Sequence, residues 1–151
     1  MIDGCRYREA LQAVRIEGGV AANVIPDHVE VLINHRFAPD RSPAEAEAYV
    51  RRVVDPWLEP DDEFEVVDVG AAAPPGLGHP LLAALIARNG LGVEAKLGWT
   101  DVARFAELGV PAANFGPGDP TLAHTAGEFV TRANLDATLA ALDDLVRHGV
   151  G

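Results

Sequence analysis

Apolar and polar positions follow two different periods along this chain. Val29, Val31 and Ile33 alternate with Glu30, Leu32 and Asn34, the period-2 signature of a half-buried antiparallel strand. Tyr7 to Glu17 also reads as a strand, and it opens without a capping element, as expected where a preceding segment is missing. Gly18-Gly19 marks a turn or bulge between the two strands, and Pro26-Asp27 a second turn. Ser42 is a natural N-cap, with Pro43 at the first helical position and Glu45 in the first turn, so a helix is predicted over Pro43–Val54. Phe64, Val66 and Val67 begin a further strand. Strand, strand, helix, strand is a ferredoxin-like βαββαβ unit lacking its first strand and helix.

The second half changes period after Gly70-Ala71-Ala72-Ala73-Pro74-Pro75-Gly76, a linker or crossover by composition. Helices are predicted over Pro80–Asn89, closed by Gly90, over Thr100–Leu108, closed by Gly109, and over Asn134–His148. On the last of these, Leu135, Leu139, Leu142 and Val146 share one face. Short strands are predicted over Val93–Leu97 and Ala112–Phe115. This alternation implies an α/β layer with a largely parallel sheet. The expected organisation is a small incomplete domain over 1–70 and the end of an α/β domain over 71–151.

Composition narrows the function classes. The chain has 151 residues, 48% of them hydrophobic, enough for one core or two small ones. Its formal charge of −11 opposes phosphate backbones and anionic lipid, so neither nucleic acid nor membrane is an expected partner. The lone cysteine, Cys5, precludes an internal disulfide and fits a cytoplasmic location. No run of 18 apolar residues exists, and the first ten residues are too polar for a signal peptide.

The chemistry-bearing residues gather around Gly98–Glu128. The apolar run Val110–Phe115 ends in Gly116-Pro117-Gly118-Asp119-Pro120, and His124-Thr125 follows. That places one imidazole on a loop at the carboxyl end of a predicted strand, where open α/β sheets put their ligands. A metal site needs three or four donors, so His124 reads either as a solvated loop residue or as one ligand of a larger site. Glu128 reads as a partner that fixes the imidazole or as a cap of the next helix. Asn23 reads as an Asx turn or as a polar contact. Arg36, at the end of its strand, is surface charge or a bidentate carboxylate clamp. Thr100-Asp101 is first an N-cap pair, and otherwise an anion contact at a helix start. Gly116 to Pro120 lacks the ending of a phosphate loop, and no Ser-His-Asp or Cys-x-x-Cys pattern is present.

The segments GGVAANVIPD, INHRFAPDRSPAEAEAYV, GLGHP and KLGWTDVARFAELGVPAANFGPGDPTLAHTAGEFV resemble the succinyl-diaminopimelate desuccinylases of the two-zinc aminoacylase and carboxypeptidase superfamily. The resemblance runs from Asp3 to the end. It implies the C-terminal part of a zinc-peptidase-like α/β catalytic domain, joined to an incomplete ferredoxin-like lid that makes a homodimer. It further implies His124 as a metal ligand, with Glu128 behind it. Asn23 would reach the partner subunit's site, Arg36 would hold a substrate carboxylate, and Thr100, Asn114, Gly116 and Asp119 would line the pocket.

The cofactor implied is zinc, two ions per site, with cobalt as a substitute. The reaction implied is hydrolysis of N-succinyl-LL-2,6-diaminopimelate in lysine biosynthesis. The other ligands and the general base would precede Met1, so no catalytic base is expected on this chain, which alone would be inactive. Gly127 stands where the family often has an acidic residue. A related deacylase, for acetylornithine or another N-acyl amino acid, shares these features. So does a non-catalytic dimerisation or binding module that kept the scaffold.

Overall fold

The computed structural model describes residues 1–96 and 98–150. It is a mixed helix and strand structure: β1 (Ala10–Gly18), β2 (Val29–Arg36), α1 (Pro43–Val54), α2 (Pro80–Asn89), α3 (Val102–Glu107) and α4 (Arg132–His148), with single 3-10 turns at Asp55–Trp57 and Pro120–Leu122.

β1 and β2 form a two-stranded antiparallel sheet in which Ala10 faces Arg36 and Gly18 faces Val29. The ladder is interrupted at Val14, between the pairs Ala13–Ile33 and Arg15–Leu32, so the bulge falls mid-strand, while Gly18-Gly19, predicted as a turn or bulge, is where β1 ends and the connection to β2 begins. β1 begins three residues later than predicted because its partner ends at Arg36. Beyond that point the N–H of Ala38 donates to the Glu9 carboxylate at 3.1 Å, and Pro39 has no N–H to give. The predicted half-buried face is uncovered: Val29, Val31 and Ile33 are all exposed among the described residues.

α1 keeps its predicted bounds, and the reason is local. The Glu45 N–H donates to Ser42 Oγ at 3.3 Å, and the Ser42 N–H donates to the Glu45 carboxylate at 2.8 Å, a complete capping box. The Ser42 N–H and the Ser42 hydroxyl, each at 2.8 Å, both donate to the Glu45 carboxylate and, backbone first, hold it below its ordinary range. The helix docks through buried Ala46 and Val50 and through Tyr49, whose ring stacks on His35 of β2 at 5.1 Å. α2 ends on Gly90 in the left-handed conformation (φ 59°), where glycine carries no Cβ penalty. α2 and α4 pack on each other around buried Leu85 and Ala141, and Arg88 crosses to Asp144 at 2.7 Å.

Three predicted strands are not formed. The Phe64–Val67, Val93–Lys96 and Ala112–Phe115 segments have no ladder partner among the described residues; Leu97, the end of the second, lies outside them. The parallel sheet expected in the second half is therefore absent from the described structure. The physical reason is that a strand exists only by pairing, whereas apolar composition supplies only the willingness to pair. Phe64 instead lies under the Arg51 guanidinium of α1, 4.3 Å from it.

Candidate functional site

β2, residues 61–75 and parts of the segments around α3 and the 112–120 loop border one open groove of about 2720 Å³. That is several times the space one small ligand fills. Arg36, Thr100, Asn114, Gly116, Asp119 and Glu128 all line it, whereas Asn23 and His124 do not. The fold thus brings six of the eight predicted site residues to one concavity.

Arg36 stands at the last position of β2, exposed, and its side chain has no hydrogen bond or ion pair among the described residues. Thr100 and Asn114 are brought together from either side of α3: the Asn114 amide donates to Thr100 Oγ1 at 3.1 Å. That bond occupies the hydroxyl which would otherwise cap the helix, and α3 accordingly starts at Val102 with no side-chain cap. Asp119 accepts from the Thr121 hydroxyl at 2.6 Å and from the Thr121 N–H at 2.8 Å, hydroxyl first in importance, and both hold its carboxyl below the ordinary range. It braces the loop around Gly118, whose φ of 93° only glycine adopts freely.

His124 is one of two non-glycine residues with positive φ among the described residues, at 64°. The left-handed region is sparsely used by residues with a Cβ. Its backbone N–H donates to the Glu128 carboxylate at 3.0 Å, so Glu128 holds the turn and not the ring, while Thr131 caps α4. Thr125 spends its hydroxyl on the Leu122 carbonyl at 2.7 Å. The imidazole is left exposed and without a hydrogen bond. Asn23 sits at the tip of the 19–28 loop, where the Val24 N–H donates to the Ala21 carbonyl at 3.2 Å. Its side-chain amide makes no hydrogen bond, so the Asx turn is not formed.

A metal ion fits these donors only in part. Among the described residues, no three His, Cys, Asp or Glu side chains gather where they could hold one. His124 offers one imidazole, and the nearby Glu128 carboxylate is engaged by backbone.

Two contributors escaped the sequence reading. The Trp99 indole lies against Gly70: a Cβ on that glycine would come within 2.6 Å of indole Cδ1 and 2.7 Å of Nε1. The Arg104 guanidinium lies over the same ring, 5.5 Å from its centre. A spacing of five residues from a loop position into a short helix carries no signal for that stacking.

Residues 6–62 match the family model described as peptidase dimerisation domain. A putative succinyl-diaminopimelate desuccinylase from Mycobacterium tuberculosis is 53% identical over 150 residues, covering 99% of this chain and 40% of the relative. The succinyl-diaminopimelate desuccinylase of Corynebacterium glutamicum is 45% identical over 128 residues, 84% of this chain and 35% of that protein. An acetylornithine deacetylase from Myxococcus xanthus is 28% identical over 140 residues, 90% of this chain and 37% of that protein. The chain thus spans 40% or less of the length of these relatives.

Proposed function

Residues 6–62 belong to the peptidase dimerisation domain family, and from that premise we propose that this chain is the dimerising, substrate-holding portion of a metal-dependent amide hydrolase. Its substrate on this reading is N-succinyl-LL-2,6-diaminopimelate, cleaved to succinate and LL-diaminopimelate in the cytoplasm. The observation that carries the reading is the 53% identity extending over 99% of the chain. The geometry agrees where it counts most: Arg36, in a chain with 23 acidic residues, reaches the groove with no carboxylate of its own. A planar, permanently charged fork is the side chain best suited to clamp a substrate carboxylate.

The division of labour follows from position. Residues 1–70 form the lid and the dimer contact, with the exposed apolar β1–β2 residues Ile16, Val29 and Val31 available for burial. Residues 71–151 supply the substrate loops: Thr100 and Asn114 offer a hydrogen-bonded polar pair, and Gly116 and Asp119 border the same groove. Asn23, with its amide unspent, extends toward a partner subunit's site. His124 contributes one imidazole to a two-zinc centre, in which cobalt can replace zinc. The remaining donors and the general base belong elsewhere in the enzyme, so the isolated chain binds zinc weakly and hydrolyses nothing.

The test uses the protein translated together with its upstream reading frame. It should release free amine from N-succinyl-LL-diaminopimelate well ahead of N-acetylornithine, and Arg36→Ala should cost on the order of 2–4 kcal/mol in kcat/KM. The 28% identity to an acetylornithine deacetylase supports the second reading, a deacetylase, which a reversed preference would establish. Hydrolysis of neither substrate would leave a non-catalytic dimerisation module.

A further inference from the structure

We propose that Glu9 is a positioning residue for Arg36, fixing the end of β2 from which the guanidinium reaches a substrate carboxylate. The inference deepens the hydrolase reading and rests on it for the role of Arg36. The Arg36 side chain has no bonded partner among the described residues, so its backbone alone decides where the fork is delivered. That backbone occupies the last rung of the ladder, opposite Ala10. The end of a strand frays unless something beyond the last rung holds it.

Here a side chain takes the place of the missing rung. Glu9 directly precedes Ala10, and one of its carboxylate oxygens accepts the Ala38 N–H at 3.1 Å. The other faces the Arg41 guanidinium at 3.3 Å, an ion pair and not a hydrogen bond. The Arg41 N–H in turn donates to the Ala38 carbonyl at 3.2 Å. Ala38, two residues past Arg36, is thus held at both of its backbone groups, and it is buried. The circuit closes through α1: the Arg41 guanidinium lies 5.3 Å from the centre of the Tyr49 ring, and Tyr49 stacks on His35. Both His35 ring nitrogens are buried without a hydrogen bond among the described residues, so ring contacts with Tyr49 and Phe37 hold that imidazole. Adjacent positions on a strand project to opposite faces, so a His35 ring pinned on α1 turns Arg36 away from it. Arg36 is bracketed by fixed neighbours while its own fork stays uncommitted. Glu9 is the member that ties this bracket to β1, and a misplacement of about 1 Å at a substrate-holding group can cost on the order of a hundredfold.

The test is a double-mutant cycle in the longer protein, read as kcat/KM for N-succinyl-LL-diaminopimelate. Glu9→Ala should lower kcat/KM on the order of tenfold, the scale of one charge-assisted hydrogen bond. In an Arg36→Ala background the same change should cost less than about twofold, because no guanidinium is left to place. Glu9→Gln keeps an acceptor for the Ala38 N–H without the charge. It should lose about threefold, again only while Arg36 is present, and it carries the cycle if Glu9→Ala folds poorly. A purely structural Glu9 would cost the same factor in both backgrounds. Equal losses in the two backgrounds, or no loss in either Glu9 variant, would overturn the proposal. The hydrolase reading fails in a different pattern. If Arg36→Ala costs on the order of a hundredfold and the Glu9 variants cost nothing, the positioning role falls and the clamp stands. If Arg36→Ala itself costs nothing, or neither substrate is hydrolysed, both fall. If N-acetylornithine is preferred, the same cycle on that substrate, which also bears a carboxylate, tests Glu9 while the desuccinylase reading falls.

Discussion

Residues 10–57 and residues 91–131 are held by different means. In the first stretch a hairpin ladder, a capped helix and a stack of Tyr49 on His35 tie together positions far apart in sequence. Ala38, Ala46 and Val50 are buried there. In the second, the six-residue α3 and a chain of short turns carry the backbone. Between Asp119 and Glu128 the Leu122, Thr125 and Glu128 N–H groups each donate to the carbonyl three residues back. Ala103 is the one buried apolar residue of that stretch among the described residues. Most of the proposed ligand residues lie in the second stretch. Rigidity from long-range pairing and chemistry from short-range turns are thus separated, as in many proteins whose loops do the binding on a stiffer scaffold.

The largest expected effect breaks that separation from the loop side. In the longer protein His124→Ala should lower turnover by at least about a hundredfold, since even partners behind a metal ligand are worth 10–100-fold. The thermal melt should barely move, because the ring is exposed and makes no hydrogen bond. Near-normal turnover and metal content would return His124 to the solvated reading. A large fall in melting temperature would show that the loop carries stability after all.

Next comes the contact between Gly70, in the connecting segment, and Trp99 of the second stretch. Gly70→Val would drive a side chain into the Trp99 indole, and displacing a packed group costs about 1–3 kcal/mol. Denaturant unfolding should report that loss, together with a red-shifted Trp99 emission as the ring leaves its seat. Unchanged emission would mean that Gly70 does not seat the Trp99 ring.

The same contrast explains what was legible in the sequence. Pro43–Val54 and Pro80–Asn89 are predicted and observed with identical bounds, because Ser42, Glu45, the two helix-opening prolines and Gly90 encode their ends within a few residues. α4 begins two residues early only because Thr131 takes the cap. Strands are another matter: β1 and β2 find each other across ten residues, whereas the Phe64, Val93 and Ala112 segments carry equal apolar character and pair with nothing described. The residue types of the site were legible, whereas the grouping of Thr100, Asn114 and Asp119 in one pocket came from the family resemblance and not from their spacing. The partners were not. That Glu128 holds the His124 backbone, or that Arg104 stacks on Trp99, depends on turn geometry that no spacing encodes.

A smaller effect belongs to the long-range stretch. Ser42→Ala removes the side-chain acceptor of the capping box and should cost about 1 kcal/mol. The loss should appear in denaturant unfolding and leave the Trp99 emission response untouched. A mutation in the scaffold that altered that response would argue against the independence of the two regions.

The smallest effect is a pH dependence in the α2–α4 pair, which lies outside both stretches. Asp144 accepts from Arg88 Nε at 2.7 Å, approaches His148 Nδ1 at 3.0 Å and accepts from the Asn89 amide at 3.4 Å. Arg88 first, then His148 and Asn89, hold its carboxyl below the ordinary aspartate value of 3.8, against a smaller opposing effect of desolvation. The folded state therefore binds fewer protons at this group than the unfolded chain. Its stabilising contribution is fully present above the unfolded value and is lost as pH falls through the lower folded value. Salt should weaken it, because the pair is only partly shielded from solvent. Asp144→Asn keeps the size, removes the charge and should flatten this acid limb, while stability near neutrality falls by a small amount. An acid limb unchanged in Asp144→Asn would mean that Leu85 and Ala141, and not the ion pair, decide how α4 is held against α2.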